Sequence, residues 1–210
     1  MHATMSDTRL LGPWIRATWA GWALGVPLVI LLALTGESLG IGPLQFPVGL
    51  GMGIGVGFMQ GRVVRNLLGE AAPWRWSCAL GLALPFLAAD VAQQAGRAVP
   101  YSLYLAVALG GLIVGIWQAL LLRRRFSRVG WWVAASVVGW SLAAGLGAVA
   151  DGLPRSHAVR GIWGALAYLG IVAGGGLALG VVTGLVLLWM RPGARVNSAP
   201  DGREAMRPMQ

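Results

Sequence analysis

This chain contains no lysine and a single cysteine, Cys78. All sixteen basic residues are therefore arginine, and no disulfide can form within the chain. Histidine is almost missing too. His2 and His157 are the only two, and no cluster of His, Cys and carboxylates has metal-ligand spacing. Charge of either sign is scarce: 11% of the 210 residues are charged, where a soluble domain carries about 25%. That is too little polar surface to cover a water-soluble globule. The formal net charge of +9 raises the question of nucleic acid. The arginines, however, cluster at the ends of apolar runs, where they act as topology signals, so nucleic-acid binding is excluded as a reading. No nucleophile stands beside a base in a defined motif, and neither a cofactor nor an enzymatic activity is expected.

What is present is apolar surface and glycine. Hydrophobic residues make up 57% of the chain, with 33 glycines and 11 tryptophans. A membrane helix needs about 20 apolar residues. Six segments qualify, at 14–35, 47–66, 74–93, 101–122, 131–150 and 163–190. The last is long and is expected to tilt or to break near Gly174-Gly175-Gly176. Asp7 lies in a long stretch before the first segment and no small-x-small site follows it. The first segment is thus read as part of the fold, not a removable leader. Residues 191–210 combine Pro, Gly and Arg without an apolar period, which predicts a disordered cytoplasmic tail.

One short sequence is written three times. Gly53-Ile-Gly-Val-Gly57-Phe-Met-Gln60-Gly61 recurs as Gly111-Leu-Ile-Val-Gly115-Ile-Trp-Gln118-Ala119, and again as Gly176-Leu-Ala-Leu-Gly180-Val-Val-Thr183-Gly184. The alternate segments share a second register: Trp14, Trp74 and Trp132 each stand seven residues before Gly21, Gly81 and Gly139. The expected fold is an all-α membrane protein with six transmembrane helices in three tandem hairpins, about 14–66, 74–122 and 131–190, forming one domain over residues 1–190. Glycine at every fourth position lets helix backbones approach closely in a bilayer, where burying leucine gains little. Gly53, Gly57, Gly61, Gly111, Gly115, Gly176, Gly180 and Gly184 are therefore candidate helix-packing residues.

Thirteen arginines fall on one side of this arrangement, and only Arg97, Arg155 and Arg160 on the other. That asymmetry places both termini in the cytoplasm of a cell with a plasma (inner) membrane. Trp14, Trp74, Trp76, Trp131, Trp132 and Trp189 are then expected at the inner boundary, the level that suits an indole. The run Arg123-Arg124-Arg125-Phe126-Ser127-Arg128 meets anionic headgroups at the inner face. Gln60, Gln118 and Thr183 form a candidate polar ring at one depth. Each is expected to bond a neighbouring helix, or alternatively to line a solute path. Glu37, Asp90 and Asp151 form a candidate acidic mouth at the outer ends.

Gly57, Gln60, Arg65 and Trp74, repeated as Gly115, Gln118, Arg123 and Trp132, resemble the hairpins of small multi-pass bacterial membrane proteins of unknown function. The resemblance covers the second to fifth segments and fades in the last hairpin, where Thr183 and Leu188 replace Gln and Arg. It implies a membrane protein and brings no catalytic residue. The expected function is a non-enzymatic scaffold or accessory subunit, with a membrane-protein partner or a second copy of the chain as its associate. The alternative is a transporter or channel for a small solute or lipid. It is disfavoured by the lack of charge at mid-membrane.

Overall fold

The computed structural model describes residues 4–41, 43–97, 100–152 and 161–190. The expectation for residues 191–210 falls outside this set. Within it the chain is all-helical, with six helices: α1 (Thr4–Ser38), α2 (Phe46–Leu68), α3 (Ala72–Gln94), α4 (Ser102–Leu122), α5 (Gly130–Gly152) and α6 (Gly161–Trp189). Local chemistry sets several boundaries. Proline stands in the first positions of α2 and α3, where a missing N–H costs nothing. Gly69 ends α2 in the left-handed region at φ +86°, its N–H returning to the carbonyl of Arg65. α6 runs unbroken for 29 residues through Gly174-Gly175-Gly176, so the expected break is absent.

Each helix packs on its two neighbours in sequence, and α6 returns to α1, which closes the six into a ring. Glycine makes every seam. A Cβ added at Gly21 of α1 would lie 2.6 Å from Val56 Cα of α2. At Gly53 it would lie 2.5 Å from the Cys78 carbonyl of α3, and at Gly57 it would lie 2.7 Å from Cys78 Cβ. Gly81 of α3 faces Val114 of α4 at 2.7 Å, and Gly139 of α5 faces Leu179 of α6 at 2.8 Å. Gly111 and Gly115 of α4 press on Ser136 and Val133 of α5 at 3.1 and 2.9 Å. Gly176, Gly180 and Gly184 press on Trp22, Ile15 and Leu11 of α1 at 2.6, 3.2 and 2.8 Å. Gly21, Gly81 and Gly139 of the odd helices thus meet the next helix in sequence. Even helices use glycine on both sides: Gly53, Gly57, Gly111 and Gly115 meet the following helix, and Gly51, Gly55 and Gly110 the preceding one. At most of these points an added Cβ would come within 3.0 Å of the facing helix, so close helix approach takes the place of interlocking larger side chains.

The outward faces are apolar: Leu31, Leu34, Val91, Ile162, Leu166 and Leu169 are all more than half exposed. Five of the six helices are long and apolar enough to cross a membrane, one fewer than the six segments expected. The exception is α2. Its stretch carries glycine at 49, 51, 53, 55, 57 and 61 together with Gln60, Arg62 and Arg65, which lowers its hydropathy. Those glycines are also why it is buried on two sides, against α1 and α3.

Candidate functional site

Trp14, Trp74 and Trp132 begin the apolar stretches of α1, α3 and α5. In a ring of six, the inner faces of the odd helices converge on the axis. All three side chains lie there, with 0%, 1% and 1% of their surface exposed. Their ring centroids form a nearly equilateral triangle with sides of 5.9, 5.6 and 5.7 Å, each pair edge-to-face. This is the geometry that aromatic quadrupoles prefer, and each such pair contributes about 0.5–1.5 kcal/mol beyond burial. The expected inner belt of tryptophans therefore divides. Trp76, Trp131 and Trp189 lie on the surface, 59%, 55% and 49% exposed, whereas the three register tryptophans are core.

An indole N–H buried this deeply needs an acceptor. Each finds one on the even helix that precedes it around the ring. Trp74 Nε1 donates to Gln60 Oε1 at 3.1 Å, and Trp132 Nε1 donates to Gln118 Oε1 at 2.9 Å. Trp14 Nε1 donates to Thr183 Oγ1 at 2.9 Å across 169 residues. The glutamines are used at both ends. Gln60 Nε2 donates to Thr18 Oγ1 at 3.0 Å, and the Thr18 hydroxyl donates to the Trp14 carbonyl at 2.9 Å. Gln118 Nε2 donates to Cys78 Sγ at 3.0 Å. Thr18 and Cys78 each stand four residues, about one helical turn, after their tryptophan. Thr183 is too short to span two helices and gives its proton to the Leu179 carbonyl instead, at 2.6 Å. The candidate polar ring is thus brought together around the tryptophan triangle, each member tied to a neighbouring helix. Amides, hydroxyls, indoles and one thiol make up this network, which contains no carboxylate and no imidazole.

Two turns further along, the axis opens. Trp22, Leu82 and Trp140 each stand eight residues after a triangle tryptophan, about 12 Å along a helix. They line the deep part of a cavity of about 370 Å³ to which all six helices contribute. Trp22 and Trp140 approach with centroids 6.1 Å apart, and Trp22 Nε1 donates to the Val172 carbonyl at 2.8 Å. Val26, Met52, Phe86, Val107 and Ala143 continue an apolar wall. Asp151 and Tyr168 are the polar exceptions, and the tyrosine hydroxyl donates to Asp151 Oδ1 at 3.3 Å.

The three candidate mouth acids occupy three different settings. Glu37 is exposed at the end of α1. Asp151 lines the cavity. Asp90 is buried, and its two carboxylate oxygens accept the backbone N–H groups of Gln45 and Phe46 at 2.8 and 2.7 Å. It caps the start of α2 from a different helix, where the helix dipole favours negative charge.

The partners of the polar ring are not evident from any one segment of the sequence. A signal was present: Gln60 and Trp74 are fourteen residues apart, and so are Gln118 and Trp132. The cavity left no comparable mark, because its lining residues come from all six helices. No protein-family model matches this chain, and no curated protein or solved structure is found to be similar to it.

Proposed function

We propose that this chain is a non-enzymatic membrane-integral scaffold or accessory subunit, built as three copies of one two-helix hairpin around a plugged axis, with both termini on the arginine-rich cytoplasmic side. One observation carries the reading: three buried indoles fill the axis at the level where a solute path would need its polar side chains. The glutamines are committed to the helix seams, so they do not offer free amides to a passing solute. The matched spacing of Gln60–Trp74 and Gln118–Trp132 supports the hairpin repeat, as does the matched placing of Thr18, Cys78 and Ser136 after their tryptophans. The gapless glycine seams suit a rigid body that positions something else. Its associates are anionic lipid at the inner face and either a membrane-protein partner or a second copy.

The test is flux. Purified protein in vesicles is expected to leak ions and small dyes no faster than protein-free vesicles. A Trp74→Ala, Trp132→Ala double variant, which opens the axis, is expected to leak faster. A saturable solute flux through the wild type would overturn the scaffold reading.

The cavity favours a second reading, a carrier or binder of an apolar molecule. A volume of about 370 Å³ lies within the usual ~300–1,000 Å³ of ligand sites. Its walls offer water few of the two to four polar partners it needs. Under this reading Ala144→Leu, which fills the cavity, abolishes binding of a hydrophobic fluorescent probe without unfolding the protein.

A further inference from the structure

The seam between α2 and α3 differs from its two counterparts in one respect. Arg62 lies one turn after Phe58 on α2, and its side chain leans back toward the helix start, as helical side chains do. Its guanidinium carbon sits 4.8 Å from the centre of the Phe58 ring. Arg75, the residue after the core Trp74, crosses the seam from α3. Its Cγ and Nε lie 3.1 Å from where a Gly61 Cβ would stand, and its guanidinium carbon also sits 4.8 Å from the Phe58 ring centre. Gly61 makes the room that lets this arginine lie flat.

Two cations are thus gathered on one aromatic ring. Among the described residues no carboxylate pairs with either, and Arg75 Nε is buried without an acceptor. At the matching positions of the α4–α5 seam stand Ile116, Leu120 and Val133, and of the α6–α1 seam Val181, Leu185 and Ile15. Those residues suit hydrocarbon. The replacement of three apolar side chains by Phe, Arg and Arg in one seam of three is a local departure with a large electrostatic consequence. With each guanidinium carbon 4.8 Å from one ring centre, the two cations lie at most twice that distance apart. Uncompensated like charges at that range, on the outer face of an apolar bundle, favour an anion.

We propose that Arg62 and Arg75, held on Phe58 over Gly61, form a seat for the phosphate of one anionic phospholipid. The inference rests on the reading of the chain as membrane-spanning. Both arginines lie in the part of their helices nearest the α2–α3 turn, six residues before the end of α2 and three after the start of α3, within reach of a headgroup layer. The planar guanidinium fork matches phosphate oxygens in geometry as well as charge. Two guanidiniums against one phosphate favour a headgroup without its own cation, because a choline-type ammonium would be repelled by the second arginine.

Native mass spectrometry of the protein released from detergent, titrated with phosphatidylglycerol, tests the seat. The wild type is expected to retain one phosphatidylglycerol in preference to phosphatidylcholine. Arg62→Gln, Arg75→Gln together are expected to weaken retention by about tenfold or more, from the attraction lost with two basic residues. Arg124→Gln, Arg125→Gln, in the exposed run after α4, is expected to leave that lipid in place. Inorganic phosphate should not displace the lipid, since it lacks the apolar contact along the seam. The proposal is overturned if the double variant at 62 and 75 retains lipid like the wild type, if phosphatidylcholine binds equally well, or if inorganic phosphate competes. Arg62→Gln alone, at an exposed position, guards against misfolding: a folded single variant with unchanged retention also overturns the seat. Resistance of the protein to alkaline extraction from membranes tests the membrane-spanning reading separately.

Discussion

Trp132 donates its indole N–H to Gln118 Oε1 at 2.9 Å, and the other end of the same amide reaches Cys78 Sγ at 3.0 Å. One side chain from α4 therefore ties α5 to α3, as Gln60 from α2 ties α3 to α1. In a medium without water, such a bridge fixes the rotation of three helices at once, because every alternative leaves a donor or acceptor unpaired.

Gln60→Leu is expected to lower stability by about 1–2 kcal/mol, since it strands the Trp74 N–H. Trp74→Phe strands the Gln60 carbonyl instead and loses aromatic packing. The double variant should be less destabilised than the sum, with a coupling of about 0.5–2 kcal/mol. Thermal melts in one detergent across the four proteins measure it. Strict additivity would show that the bond contributes nothing.

Gly57→Leu and Gly115→Leu place a branched side chain where Cys78 Cβ and Val133 Cα leave 2.7 and 2.9 Å for a first carbon. The backbones must separate, at an expected cost of about 3 kcal/mol or more. Val138→Leu, at a half-exposed position on α5, should change stability by less than about 0.5 kcal/mol. Equal melting of all three variants would mean the seams are not held by close backbone approach.

Asp90→Ala removes both acceptors from the start of α2. Bonds to a charged group contribute about 1.5–3 kcal/mol, so a loss of that order is expected. Asp90→Asn keeps one carbonyl and should lose less. Hydrogen exchange at the Gln45 and Phe46 amides gives the local readout: both should exchange faster in Asp90→Ala, and unchanged protection would remove the capping role.

Orientation is tested with single cysteines in a Cys78→Ser background. Ser38 and Ser127 are both exposed and lie at opposite ends of the ring. In intact cells an impermeant thiol reagent should label Ser38→Cys and spare Ser127→Cys. The reverse pattern would invert the topology expected from the arginines.

The sequence by itself determined the helices. Apolar runs, proline at two helix starts and Gly69 at one end follow from chain-local rules, and five of the six helices carry the hydropathy of membrane spans. It also marked the glycines, because spacing of four on a helix defines one face whatever lies opposite. It did not show that Trp14, Trp74 and Trp132 are buried, since an indole suits a membrane boundary and a buried core equally well until its N–H partner is known. Two partners lay fourteen residues away and repeated, but Trp14 bonds Thr183 only because α6 returns to α1. The capping role of Asp90 was hidden for the same reason, as nothing near it in sequence shows that the start of α2 lies against its carboxylate. The cavity and the arginine pair on Phe58 are likewise products of closure. Local propensity sets what each helix is. Only the ring brings side chains from distant helices within bonding distance.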